Sequence, residues 1–193
     1  MADATATQAG TREIVLPAGT WTLDRAHTSI EFVARHMMVT KVRGNFGDFE
    51  GAIHVSDDPA GSWAEASLKT ATINSNMPMR DDHLKSADFL DSEKYPEMKF
   101  RSTSLQHVGE NKWKAVGDLT VRDVTKSVDL DVEFHGYQDH PMGGEVAFFS
   151  GKAEIDREQF GMTWNQALES GGVLVSKKVR IEIEAQAVRG RDS

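Results

Sequence analysis

Residues Ser127 to His135 read S-V-D-L-D-V-E-F-H, with an apolar side chain at every second position. Successive side chains of a β-strand point to opposite faces, so this alternation indicates a strand with one buried and one exposed face. The apolar set is Val128, Leu130, Val132 and Phe134. Such a strand needs partners, and the rest of the chain supplies them.

The same alternation recurs along the chain and predicts about eight strands. They fall at residues 30–35, 49–55, 63–73, 98–105, 115–121, 127–135, 145–155 and 180–187. Turn-forming stretches separate several of them, at residues 56–61, 109–111 and 139–144. Strands in this spacing, without intervening helices, are typical of a sandwich or a barrel. We predict an all-β fold, an eight-stranded antiparallel barrel, because closure hides the edges of the sheet.

One segment interrupts the strand pattern. Residues Met79 to Phe89 contain almost no strong β-formers, which predicts a short helix or tight loop that ends before Tyr95-Pro96. We expect this segment beside the barrel mouth, with Leu84 and Phe89 turned inward. A second short turn is predicted at residues 156–161.

Length and charge restrict the classes of function. The 193 residues suit one domain, which we place at residues 19–189 after a flexible segment at residues 1–18. The formal net charge of −8 disfavours a nucleic-acid partner. No apolar run approaches the ~20 residues of a membrane-spanning helix, so we expect no stable membrane insertion. Residues 1–12 lack the features of a signal peptide, and we therefore expect the cytoplasm.

Few residues form a pattern that supports catalysis or metal binding. The chain has no cysteine, no G-x-S-x-G elbow and no glycine-rich phosphate loop. His27, His36 and His83 lack the helical spacing of a metal site, and we predict neither metal nor cofactor. The cluster Arg80-Asp81-Asp82-His83 is interpreted either as an acid–base site or as a helix cap.

The alternation does not decide whether the barrel is hollow. An eight-stranded barrel is just wide enough to be packed solid or to hold one small ligand. Flexible methionines suit an adaptable apolar pocket and slightly favour the hollow form; they are Met77, Met79, Met98, Met142 and Met162.

Several motifs together resemble the YceI-like family. They are Trp21-Thr22-Leu23-Asp24, His27 to Phe32, His36, Val42 to Phe46, Phe49-Glu50-Gly51, Arg80 to Asp91, Tyr95 to Phe100, Gly117 to Val121, Thr125-Lys126, Ile155-Asp156-Arg157 and Phe160-Gly161. The resemblance spans residues 19–188, and residues 80–100 are its most specific part. It implies a lipocalin-like barrel with a small helix near its mouth, and a non-catalytic binder of polyisoprenoids or similar amphiphilic chains.

Pattern and resemblance together name candidate residues. The predicted lumen residues are Ile30, Phe32, Phe49, Ile53, Leu84, Phe89, Phe100, Leu119, Val132, Phe134, Phe148 and Met162. Arg80, His83 and Arg157 are predicted to meet a polar head group. The expected ligand is a polyisoprenoid, an isoprenoid quinone or a fatty amide, held by a carrier or sequestering protein that can form a homodimer. The alternatives are an enzyme that uses residues 80–83, and a solid barrel that acts through its surface.

Overall fold

Eleven strand segments and one helix make up the described part of the chain. The computed structural model describes residues 16–190, so residues 1–15 of the predicted flexible segment lie outside it. The strands are β1 (Gly19–Leu23), β2 (Ser29–His36), β3 (Thr40–Phe46), β4 (Phe49–Val55), β5 (Trp63–Lys69), β6 (Ile73–Asn74), β7 (Glu97–Gly109), β8 (Lys112–Val121), β9 (Val124–Asp139), β10 (Glu145–Asp156) and β11 (Lys178–Arg189). The helix α1 (Pro78–Lys85) joins β6 to β7, and short 3-10 turns lie at Pro59–Gly61, Thr70–Thr72 and Arg157–Phe160.

The eleven segments form a closed antiparallel barrel of eight strands, which confirms the predicted fold class. β1 and β2 both pair with β11 and continue one another. In the same way β3 and β4 continue each other, as do β5 and β6. Neighbours in the chain are neighbours in the sheet, and the pairing of β11 with β1 and β2 closes the ring.

The interruptions in these three strands lie side by side in the wall. Between β1 and β2, the Thr28 hydroxyl and the backbone of Gln186 exchange hydrogen bonds of 3.1 and 3.2 Å. At the next interruption, the backbone N–H of Asp48 donates to Thr72 Oγ1 at 3.1 Å. Side-chain oxygens thus satisfy backbone groups where the strand ladder is broken.

Two apolar clusters stabilise the barrel at different heights. The larger contains Phe46, Phe49, Ile73, Leu90, Val121, Phe160 and Met162, together with other buried side chains. It surrounds the ends of β3, β6 and β8, where α1 lies. The smaller cluster groups Trp21, Phe134, Ala147 and Ala187 near the other end. We call the end that carries α1 the closed end. The end that carries residues 16–18, the loop 56–62 and the hairpin turn 110–111 is the open end.

Hydrogen bonds fix α1 to the barrel at the closed end. Buried Asp81 accepts from the backbone N–H of Ser75 at 2.8 Å and also from the Ser75 hydroxyl. Arg80 donates from Nε to Ser75 Oγ at 2.7 Å and from Nη2 to the Ser75 carbonyl at 2.7 Å. Leu84 packs against the larger cluster. The helix begins at Pro78, whose missing N–H has no partner to lose at a helix start.

Seven of the eight predicted strands recur in the structure, whereas the 3-10 turn Thr70–Thr72 divides the predicted strand 63–73 into β5 and β6. Two further segments were absent from the prediction. β1 (G-T-W-T-L) and β3 (T-K-V-R-G-N-F) were not predicted because both are short and hold few apolar residues. β9 is longer than the predicted 127–135, since its polar ends also pair with neighbours. Within residues 16–190, no helix has the length and apolar character needed to cross a bilayer.

Candidate functional site

The barrel is hollow over part of its length. It encloses a cavity of about 780 Å³. Every strand of the barrel contributes to the lining, which includes Leu23, Ile30, Ala66, Ala115, Val128, Leu130, Ile155, Ile181 and Ile183. Such a lining is chiefly hydrocarbon, so the lumen offers apolar contact and few hydrogen bonds.

The alternation in β9 places its apolar set as the sequence indicates. Val128, Leu130, Val132 and Phe134 all line the cavity. Among the predicted lumen residues, Ile30, Phe32, Ile53, Phe100, Leu119, Val132 and Phe134 contribute to the lining. Phe49, Leu84, Phe89, Phe148 and Met162 do not.

Phe148 requires a correction of placement. The inward positions of β10 are Phe149, Gly151, Ala153 and Ile155, so Phe149 lines the cavity and Phe148 does not. The pairing of β9 and β10 shifts register between Ala147 and Phe149. With two adjacent phenylalanines, the pattern alone does not show which one faces inward, since a slip of one residue exchanges the two faces.

The other four lie in the packed closed end. Phe49 and Met162 belong to the larger cluster, and Leu84 packs against it. Phe89 is buried, with its ring centroid 5.0 Å from that of His83 and 5.5 Å from that of Trp164. These side chains seal the end of the barrel and do not border the cavity.

Two glycines allow aromatic rings to lie against the wall. A Cβ atom at Gly44 would stand 2.5 Å from the ring of Phe32, and one at Gly117 would stand 2.5 Å from the ring of Phe100. Both rings line the cavity. A larger residue at either glycine would clash with the ring and also with a backbone carbonyl, of Asn74 at 2.7 Å or of Arg101 at 2.6 Å.

The predicted head-group residues lie away from the cavity. Arg80 is engaged with Ser75, and His83 Nε2 lies 2.8 Å from Asp88 Oδ2. Neither Arg80 nor His83 lines the cavity, nor does any other residue of α1. The expectation of a helix beside the mouth is therefore corrected, because the segment caps the packed end of the barrel.

Arg157 also lies at the closed end, with only 2% of its surface exposed. Its guanidinium donates to the carbonyl oxygens of Ser176 at 2.9 Å, of Val175 at 3.4 Å and of Met162. Burial lowers the pKa of this guanidinium below its ordinary value. These three acceptors are backbone carbonyls, and the guanidinium carbon also lies 5.8 Å from the centroid of the Phe89 ring. Arg157 therefore holds the segment 162–176 in place and does not line the cavity.

Polar side chains reach the cavity mainly at the open end. His54 Nδ1 lies 3.2 Å from Thr20 Oγ1, and its ring stacks on Trp63. His107 Nε2 lies 2.9 Å from the Glu110 carbonyl oxygen, with its ring centroid 4.8 Å from that of Trp113. The exposed lining residues Asp57, His107 and Glu110 lie at this end, which identifies it as the mouth.

Several lining residues were not selected from the sequence. Ala64, Ala66, Trp113, Phe149, Ile181 and Ile183 all border the cavity. The isoleucines of β11 were visible in its alternation, whereas small alanines carry no apolar signal strong enough to select. Within residues 16–190, no group of three or more His, Cys, Asp and Glu side chains could hold a metal ion.

Comparison with known proteins gives relatives over nearly the whole chain. The UPF0312 proteins SAB2563 and SA2479 of Staphylococcus aureus are each 39% identical over 168 residues, which cover 86% of this chain and 95% of each relative. No activity is stated in either name.

Solved structures share the architecture. BcnA of Burkholderia cenocepacia superposes with a TM-score of 0.73 at 21% identity, covering 85% of this chain and 98% of that one. A YCEI protein of Campylobacter jejuni gives 0.69 at 28% identity, covering 81% and 90%. A polyisoprenoid-binding domain of Saccharophagus degradans, implicated in plant cell wall breakdown, gives 0.64 at 12% identity, covering 87% and 97%. The family model of the YceI-like domain matches residues 21–187, and the chain therefore belongs to the YceI-like family.

Proposed function

We propose that this protein binds one long apolar or amphiphilic lipid in its barrel, as a carrier or sequestering protein. The ligand classes are a polyisoprenoid, an isoprenoid quinone or a fatty amide. The observation that carries the proposal is the cavity of about 780 Å³ with its predominantly apolar lining. A volume of this size lies within the ~300–1,000 Å³ of sites that enclose small organic ligands.

The energetics suit a long hydrocarbon chain. Each buried CH₂ group contributes about 0.8 kcal/mol, from which the loss of ligand freedom must be subtracted. A chain in this lumen needs no hydrogen bond along its length, and the lining offers few. Affinity therefore grows with chain length until the lumen is full.

The polyisoprenoid-binding domain of Saccharophagus degradans is consistent with this proposal. At 12% identity the likeness concerns the fold alone. What supports a lipid ligand in this chain is thus its own cavity.

The enzymatic alternative places chemistry at Arg80-Asp81-Asp82-His83, which lies at the closed end. Arg80 and Asp81 are bonded to Ser75, and His83 is beside Asp88. No member of the cluster lines the cavity, so a substrate in the lumen does not meet it. We propose binding without turnover. Steady product formation from a prenyl or acyl substrate, lost in a folded His83→Ala variant, would contradict this.

Native mass spectrometry of protein purified without detergent tests the proposal directly. We expect an apolar adduct on the wild type. Ala185→Trp should remove it, because Ala185 lines the cavity and an indole there would occupy the lumen. Glu184→Trp is the matched control, since Glu184 is the next residue of β11 and is exposed.

If the wild type carries no adduct and takes up no added geranylgeraniol, the proposal is wrong. Loss of the adduct in both variants would also count against the lumen, because the exposed position should not matter. Thermal unfolding of each variant distinguishes a blocked lumen from a misfolded barrel.

A further inference from the structure

The charges that line the cavity fall into two groups. Glu31, Glu65 and Lys99 alternate with inward-facing residues of their strands, so their side chains point outward, where each has an ion-pair partner. Arg43 Nη1 lies 3.5 Å from Glu31 Oε2, and Lys99 Nζ lies 2.9 Å from Glu97 Oε2. Arg101 Nη1 pairs with Glu65 Oε2. These pairs leave the wall close to neutral.

Asp57 and Glu110 form the second group. Both line the open end of the cavity, and both are exposed in turns, Asp57 before β5 and Glu110 between β7 and β8. Within residues 16–190, neither carboxylate forms an ion pair. The mouth therefore carries negative charge that no described cation neutralises.

Ser62 and Asn111, two other polar residues at the mouth, are bonded to protein. Ser62 Oγ accepts from the Ser56 N–H at 3.0 Å, and Asn111 Nδ2 donates to Glu133 Oε1 at 3.0 Å. Lys99 is the single Lys or Arg among the described lining residues, and Glu97 holds it. Arg80 and Arg157 lie at the closed end and cannot reach a head group here.

We infer that the open end selects lipids with an uncharged head group, such as an alcohol, a quinone or an amide, and rejects the corresponding phosphates. This inference rests on the proposed function and concerns the head group alone. Asp57 and Glu110 are the residues that determine the selection.

The physical reason is the imbalance between desolvation and attraction. A phosphate that follows its chain toward the lumen loses part of its hydration, which is compensated only where a cation is near. Here it meets two carboxylates, whose repulsion adds to that loss. An alcohol or a quinone keeps a hydrogen bond to water at the mouth and experiences little of either effect.

The test compares three ligands that share one chain: geranylgeraniol, geranylgeranylamine and geranylgeranyl diphosphate. Each displaces the uncharged fluorophore N-phenyl-1-naphthylamine from the lumen at pH 8, at which an ordinary imidazole is neutral. We expect the diphosphate to bind on the order of tenfold more weakly than the alcohol. The amine should bind at least as tightly as the alcohol.

The double variant Asp57→Asn with Glu110→Gln sharpens the test. It should narrow the difference in affinity between the alcohol and the diphosphate, because the diphosphate then no longer meets two carboxylates at the mouth. Asp123→Asn with Glu184→Gln removes the same charge from exposed positions outside the lining and should leave that difference as it is. Raising the salt concentration to 1 M should also narrow this difference in affinity in the wild type, because the Debye length falls to ~3 Å.

Each outcome separates this inference from the function on which it rests. Equal or tighter binding of the diphosphate overturns the head-group selection and leaves lipid binding intact. If the double variant does not change the difference in affinity between the alcohol and the diphosphate, the weaker binding of the diphosphate is due to the size of its head group. That result overturns the role of Asp57 and Glu110. If none of the three ligands displaces the fluorophore, the proposed function and this inference both fail.

Discussion

The two ends of the barrel are built from the same strands but have different roles. The closed end is filled by large apolar side chains, among them Phe46, Phe49 and Phe160, and is capped by α1. Toward the open end the lumen widens into a cavity whose wall includes Ala64 and Ala66. Packed side chains stabilise the fold at one end, and small ones leave room for a ligand at the other.

This contrast separates residues that matter for folding from residues that matter for binding. A buried side chain with neighbours all round loses contacts and leaves a void when it is truncated. A side chain that already borders a cavity loses contacts on one side only.

The largest expected effect is at Phe160, which is 2% exposed. Phe160→Ala should lower the free energy of unfolding by about 3–5 kcal/mol, because it leaves a cavity in the packed end. Phe149→Ala should lower it by about 2 kcal/mol or less and weaken lipid binding, since Phe149 lines the existing cavity. Urea unfolding and fluorophore displacement measure the two effects. Equal losses of stability would contradict the distinction between the ends.

Arg157→Lys should lower the free energy of unfolding by about 2–3 kcal/mol. A lysine carries the charge but lacks the planar fork that reaches the carbonyls of Met162, Val175 and Ser176. Lipid affinity of the folded protein should not change. Arg25→Lys is the control, because Arg25 is exposed and paired with Asp48. A change in lipid affinity without a change in the free energy of unfolding would contradict this and support the head-group role that the sequence predicted for Arg157.

Arg80→Glu should cost about 1–2 kcal/mol of stability by removing the donors to Ser75 and adding a negative charge beside buried Asp81. Affinity for geranylgeraniol and for its diphosphate should remain unchanged, because Arg80 lies outside the cavity lining. Met79→Glu introduces a carboxylate at the neighbouring exposed position and serves as control. A selective loss of diphosphate binding in Arg80→Glu would place the head group at α1.

The smallest effect concerns Glu97 at the start of β7. Hydrogen bonds from Lys69 and Lys99 lower the pKa of Glu97 from 4.5 to about 2. A lowered carboxyl pKa stabilises the fold above pH 4.5, and this contribution disappears as the pH falls through 2. Glu97→Gln should therefore make the acid loss of stability slightly less steep between those values. An unchanged acid titration of stability would show that the pairs contribute nothing, as exposed pairs often do.

Strand alternation predicted the strands of the barrel because the physics involved is local. A period of two, repeated between turn-forming stretches, requires strands with one buried face whatever the rest of the fold. The weak points of the prediction lie where the pattern is short or doubled. β3 carries two charged residues in seven positions, and Phe148 and Phe149 stand side by side.

The position of α1 could not be predicted from the local sequence in the same way. Its sequence holds polar residues that suit a rim, and nothing in it states which end of a barrel it caps. In the structure its position is fixed by the hydrogen bonds that Arg80 and Asp81 form with Ser75. The role of Arg157 could not be predicted either, because only folding brings its guanidinium to the carbonyls of residues 162, 175 and 176.

By itself the sequence determined which residues alternate in most of the strands, and the need to hide sheet edges favoured a closed barrel over a sandwich. Tertiary structure decided that the lumen is hollow and that it opens away from α1. It also decided that the mouth carries Asp57 and Glu110 in place of the predicted cations. The reason is that alternation is a property of neighbouring residues. An enclosed volume and the charge at its mouth depend on residues far apart in the chain, which come together only when the barrel closes.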